Sequence, residues 1–216
     1  MQISVSGEQR VRVAPERAEV SLRVTQEGAD RAQVIAEVTA FANKIGRELD
    51  ELKAGGVVET FSVQPLQTYA WKPRRGSAER VTATVELQAT FTDFEVVGRW
   101  TAETGGATGV QLGWVRWTLT DATADRLRDE CIAGAVARAT QRAEAMARAA
   151  GAGAIEISEI ADPGLLGAGD SMTTFDAPVM AMMSRSGKAA EPEAVAIVPE
   201  EIEIGAQLQL RFVTVR

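Results

Sequence analysis

The sequence has no histidine, one cysteine, and aromatic residues at only 5% of its 216 positions. The missing imidazole removes Ser–His–Asp and Cys–His triads, histidine metal ligands and imidazole proton relays together. The single thiol, Cys131, can form neither an intramolecular disulfide nor a cysteine-cluster zinc site. No apolar stretch approaches the roughly 18 residues a helix needs to span a bilayer, so no integral membrane segment is expected. The opening Met1-Gln2-Ile3-Ser4-Val5 lacks a basic start, an apolar core and a small-residue cleavage site. The expected location is therefore cytoplasmic as the sequence stands, and periplasmic or exported if a leader has been removed. Positive charge is also scarce. Against 30 Asp and Glu there are 23 Lys and Arg, a net charge of -7 that disfavours nucleic acid as a partner.

What remains is a globular composition, 45% hydrophobic and 25% charged. The length suits one large domain or two small ones, and the expectation is a single domain over 1–216. The charge is uneven. Residues 1–150 carry 19 basic and 20 acidic side chains, whereas 151–216 carry 4 and 10. Such an acidic terminal third is more often solvating than catalytic.

Alternation identifies the strands. Ile3, Val5, Val11 and Val13 share one parity, with Gly7 reading as a bulge or bend. After Ala14-Pro15-Glu16, Ala18, Val20, Leu22 and Val24 alternate with Glu19, Ser21 and Arg23, which predicts a hairpin. Val34, Val38, Phe41, Ile45, Leu49 and Leu52 then form a helical stripe. Asp30 is placed as its N-cap with Gln33 in a capping box, and Gly55-Gly56 ends it. Phe61 and Val63 lead into Pro65, the mark of a strand end or an edge. Val81 to Phe91 alternates most cleanly. Asp93 caps a short helix with Phe94, Val97 and Trp100 on one face, and a strand through Leu112, Val115, Trp117 and Leu119 follows.

A second long helix runs from about Ala122 to Ala150, with Leu127, Cys131, Ala135, Ala139 and Met146 read as its buried face. Nine of its last 18 residues are alanine, which permits close approach to a neighbour. Ile155, Ile157 and Ile160 form a short strand. Residues 162–200 have no period and are rich in Gly, Pro, Ala, Ser and Met, reading as one long irregular loop. Ile202 to Phe212 alternates again as the last strand. The class is α+β: a mainly antiparallel sheet with two long helices and one short helix on one face, in the order ββα-ββα-βα-ββ.

Several stretches in this order resemble the SIMPL-domain family. Ile3-Ser4-Val5-Ser6-Gly7-Glu8 resembles its opening strand, although Gln9 stands where the family has a second glycine. Pro15-Glu16-Arg17-Ala18 resembles its first turn, and Leu52-Lys53-Ala54-Gly55-Gly56-Val57 its helix exit. Leu119-Thr120-Asp121 with Leu127-Arg128-Asp129-Glu130, and Ala143 to Gly151, resemble the last helix. Pro178 to Met183 and Pro199-Glu200-Glu201 resemble its Met-containing loop and the entry to the final strand. The resemblance implies a bacterial α+β domain, frequently a large homo-oligomer and sometimes linked to stress tolerance or the cell envelope. It implies no established enzymatic activity, so no catalytic residue is carried over.

The chemistry-bearing residues are few. Met180, Met182 and Met183, with Met172, could offer soft thioethers to Cu(I), but the same side chains suit an adaptable contact surface. Met172, Phe175, Met180, Met182 and Met183 are therefore interface candidates, joined by Trp71, Arg74 and Arg75 of the basic turn Trp71 to Arg80. That turn otherwise reads as a solvated hairpin end. Cys131 lies mid-helix on an apolar face, where a thiol is usually inert. Gly105-Gly106-Ala107-Thr108-Gly109 lacks the Lys-Ser/Thr ending of a phosphate loop and precedes a strand, so it reads as a turn. The expectation is a non-enzymatic interaction protein without a cofactor that self-associates as a homo-oligomer. A small-ligand or soft-metal module is the rival, and a hydrolase built on paired carboxylates is a third reading.

Overall fold

The computed structural model describes residues 1–74, 76–166 and 198–215. In chain order they form β1 (Gln2–Val13), β2 (Arg17–Gly28), α1 (Arg31–Ala54), β3 (Val58–Val63), β4 (Gln67–Trp71) and β5 (Arg80–Phe91). The chain continues through α2 (Phe94–Gly105), β6 (Val110–Thr118), α3 (Asp121–Ala149), β7 (Ile155–Ala161) and β8 (Ile202–Thr214). The α+β class, the three helices and the mainly antiparallel pairing are as expected. The strands divide between two sheets rather than one, and β4 adds a third strand before α2. Among the described residues, Ala14–Thr120 make one compact unit. Met1–Val13, the stretch from Asp121 and the stretch from Glu203 make the other.

In the unit of Ala14–Thr120, the sheet order is β3-β5-β2-β6, with β4 also paired to β5. β2 pairs antiparallel with β5 and β6, and so do β3 and β4 with β5. β2 and β3 are joined through α1 with β5 between them, and β5 and β6 are joined through α2 with β2 between them. Two interleaved split β-α-β units are the ferredoxin-like arrangement. β3 and β4 lie along the same side of β5 and run the same way, so they are one edge strand broken around Pro65. Proline has no N–H to give a ladder, which explains the break and the edge position.

Alternation places Ala18, Val20, Leu22 and Val24 of β2 and Ala83, Val85, Leu87, Ala89 and Phe91 of β5 in one core. Val34, Val38, Ala42, Ile45 and Leu49 of α1 and Val97 and Trp100 of α2 cover it. Burial of each larger side chain is worth about 1.5–3 kcal/mol. The Asp30 carboxylate accepts from the N–H groups of Ala32 at 2.8 Å and Gln33 at 3.1 Å, as an N-cap must. The expected capping box is half made, because the Gln33 amide reaches forward to Glu37 at 2.9 Å rather than back to the cap. Asp93 caps α2 in the same way, through Glu95 and Val96.

In the other unit, β8 lies between β1 and β7. Thr214 N–H donates to the Met1 carbonyl, while Glu203 meets Arg12 at the other end, so β1 and β8 run antiparallel. α3 packs on β1 through a row of small residues: Ala135, Ala139, Ala143 and Ala147, one every fourth position. They close on Ile3, Val5, Leu208, Leu210 and Phe212. Met146, expected on this face, is exposed, because the every-fourth row passes through Ala143 and Ala147 instead. Nor is Gly7 a bulge or bend within β1, which runs unbroken. A β-carbon there would sit 2.9 Å from both the Ala135 carbonyl carbon and the Ala139 β-carbon, and closer still to the Ala135 oxygen. Gly7 is what lets strand and helix backbones touch.

Candidate functional site

The helices cover one face of the five-stranded sheet, and the opposite face is polar. Its side chains come from the other parity of the same strands. One row crosses four strands: Thr60 on β3, Thr90 on β5, Glu19 on β2 and Arg116 on β6, each opposite the next in register. Beside it lies a second row of Ser62, Gln88 and Ser21. Arg116 Nε donates to one Glu19 oxygen at 3.0 Å, and its Nη2 contacts the same oxygen. Arg23 bridges Glu86 and Arg80 bridges Glu27 (2.6 Å) elsewhere on these strands. These partly exposed pairs contribute little stability but hold side-chain geometry.

One aromatic residue joins this polar field. The β2–β6 register slips between Val20 and Leu22, so that Gly113 and Trp114 together face Ser21. In an unbroken strand Trp114 would share the parity of Leu112 and turn toward the helices. The extra residue turns it to the open face, the re-aiming that a β-bulge performs. A β-carbon on Gly113 would meet the Ser21 oxygen atoms at 3.1 and 3.2 Å, a tight approach that glycine avoids. The Arg116 guanidinium lies 5.1 Å from the Trp114 ring centroid. Trp114, 45% exposed, lines a shallow cavity of about 220 Å³ with Glu19, Thr60, Ser62, Gln88 and Thr90. The broken alternation was visible in the three-residue spacing from Leu112 to Val115, but its consequence for Trp114 was not read from it.

β6 is also the last strand on its side of the sheet. Its outer row of backbone groups has no strand partner among the described residues. Leu112 and Val115, on the helix-facing parity, are 42% and 40% exposed. The opposite edge is blunted by Pro65 and by a register shift between Val58 and Thr60.

The residues singled out from sequence fall as follows. Trp71 ends β4 and donates its indole N–H to Thr82 at 3.2 Å, so its ring is anchored to the sheet. Lys72 and Arg74 are exposed in the turn, where Ser77 hydroxyl and Arg74 backbone exchange hydrogen bonds. Arg75 and the loop residues Met172, Phe175, Met180, Met182 and Met183 lie outside the described residues. Cys131 is fully buried, and its thiol is 3.5 Å from the Ile204 carbonyl oxygen. The glycine stretch after α2 is a turn, as expected, with Gly109 at φ +83°. On the β1–β8 sheet, Glu203 accepts from Arg12 at 2.9 Å and Arg10 at 3.3 Å. The hydrogen bond from Arg12, aided by the charges of both guanidiniums, holds its carboxyl below the ordinary value of 4.5. Among the described residues no group of three or more Asp, Glu or Cys side chains is placed to hold a metal ion, and no helix is long and apolar enough to cross a membrane.

Together these features define an α+β protein of two antiparallel sheets whose first and last strands belong to the same unit. The chain matches the SIMPL family, described as a protein of unknown function (DUF541), over residues 3–212, and it belongs to that family. Comparison with curated proteins finds no match.

Proposed function

We propose that this chain is a non-enzymatic interaction protein that associates with copies of itself through the outer edge of β6. The observation that carries the reading is that edge: nine residues long, without proline, with Leu112 and Val115 exposed along it. An unpaired edge of this kind is a template for another strand. Its single charged side chain, Arg116, is already engaged by Glu19 of the same sheet and does not repel a newcomer. Antiparallel pairing of two β6 strands would continue the sheet from one copy into the second, with side chains of like face opposite one another. Such a contact is isologous and closes on itself as a dimer. Further growth of the assembly would need a second surface.

Replacing Leu112 and Val115 by lysine tests the reading. Both side chains are partly solvated, so the fold should tolerate the change, and inward-facing or edge lysines are a natural block to edge pairing. Sedimentation of the wild type and of the Leu112→Lys/Val115→Lys chain should give an oligomer and a monomer respectively. Equal sedimentation of the two would rule out this edge.

A further inference from the structure

The open face of the same sheet carries more than a strand edge needs. We propose that it is a binding site for a neutral polyhydroxylated ligand, an oligosaccharide in chemical class, seated on the Trp114 ring. This goes beyond self-association, because edge pairing uses the backbone of β6 whereas this site uses side chains spread over four strands.

Three observations carry it. First, the Gly113–Trp114 bulge turns a large aromatic side chain out of the core parity and onto a polar field. The bulge leaves Trp114 45% exposed on that field. Second, the groups around that plane have unspent hydrogen-bonding capacity. Two Arg116 N–H groups go to one oxygen of Glu19, a cavity-lining residue, which leaves its second oxygen without a hydrogen-bond partner among the described residues. The Gln88 carboxamide and the Ser62 hydroxyl, both cavity-lining, have no partner among the described residues. The site thus offers a flat apolar surface flanked by a carboxylate, an amide and hydroxyls, acceptors and donors together.

Third, the charges exclude the other ligand classes. An anion would meet the Glu19 carboxylate, and the cation beside it, Arg116, is already paired with that carboxylate. A cation would meet Arg116, whose guanidinium lies over the Trp114 ring. A wholly apolar ligand would leave Gln88, Ser62 and Glu19 desolvated without partners. A pyranose ring presents C–H groups on one face and hydroxyls around its rim. Its face suits the indole face that Arg116 does not cover, its rim suits Glu19, Gln88 and Ser62, and hydroxyl bonds to a carboxylate are the stronger kind.

The test is calorimetric titration of the full chain with chitotetraose, maltotetraose and cellotetraose. At least one is expected to bind with a dissociation constant of about 1 mM or tighter. Trp114→Ala should weaken that binding at least about tenfold, and Gln88→Ala about threefold, while Trp114→Phe should keep most of it. Trp71→Ala, at the far edge of the sheet, should leave it unchanged. The same affinities are expected in the Leu112→Lys/Val115→Lys chain, so failure of self-association and failure of this site are distinguishable. Silence toward all three sugars up to about 10 mM, or an affinity that Trp114→Ala does not move, overturns the proposal.

Discussion

Gly7→Ala is the sharpest test of how α3 is seated. The added methyl would lie 2.9 Å from the Ala139 β-carbon and from the Ala135 carbonyl carbon, and closer to the carbonyl oxygen. Ordinary carbon contacts begin near 3.5 Å, so strand and helix must separate. Neither obstacle is the flexible end of a side chain, since one is helix backbone and the other an alanine methyl. Separation also loosens the row of Ala135, Ala139, Ala143 and Ala147 against Ile3, Val5 and Leu210. Overpacking typically costs 1–3 kcal/mol, and with rigid backbone on both sides we expect about 3 kcal/mol. The assay is built into the chain, because Cys131 is its only cysteine and is fully buried in the same unit. Thiol labelling under native conditions therefore reads the opening of this unit alone. A loss of about 3 kcal/mol raises the labelling rate on the order of 100-fold when opening is a rapid pre-equilibrium. Gly46→Ala is the control: it lies inside α1 with nothing within 4 Å of an added methyl. It should stabilise its helix by about 0.5–1 kcal/mol and leave Cys131 labelling unchanged. Equal labelling of Gly7→Ala and wild type would refute the close-packing argument.

Other outcomes follow from single contacts. Asp30→Ala removes the acceptor of two helix N–H groups and should cost about 1 kcal/mol in urea unfolding, with Asp30→Ser recovering most of it. Trp100 packs on Phe91 at 5.2 Å between centroids, but its buried indole N–H has no partner among the described residues. An orphaned donor costs about 1–3 kcal/mol, so Trp100→Phe should fall within about 1 kcal/mol of wild type, whereas Trp100→Ala should lose about 3–5 kcal/mol. Equal losses for the two would show that the orphan has no cost. Glu203 is held ionised by Arg12 first and Arg10 second. A carboxyl depressed in the fold stabilises above its unfolded value of 4.5, and that stabilisation vanishes as pH falls through the lower folded value. Its carboxyl NMR titration should have a midpoint below that of a free glutamate, and Arg12→Gln should raise it; no movement would contradict the pairing.

The parts of this fold legible in the sequence were those set by local pattern. The stripe from Val34 to Leu49, the caps Asp30 and Asp93, and the alternation from Val81 to Phe91 each follow from neighbours a few residues apart. Pairing was less legible. β8 lies beside β1, nearly 200 residues earlier in the chain, and no local pattern says that these strands leave the sheet of β2 and β5. Gly7 looked like an interruption because its partner, the Ala135 carbonyl, lies on α3 and is absent from any local window. β4 was missed because Pro65 and a basic turn frame a segment of only five residues. The polar cavity was hidden for a related reason. Glu19, Thr60, Gln88 and Trp114 read separately as the solvent parity of four strands, and only sheet order gathers them.

The most direct measurement is sedimentation velocity at micromolar concentration on the wild type and the Leu112→Lys/Val115→Lys chain. If copies join along the free side of the last strand in the ferredoxin-like unit, the wild type runs as a multiple of 23.0 kDa and the lysine variant as one chain of that mass. A wild type that runs as one chain, or a variant that keeps the wild-type mass, contradicts the account.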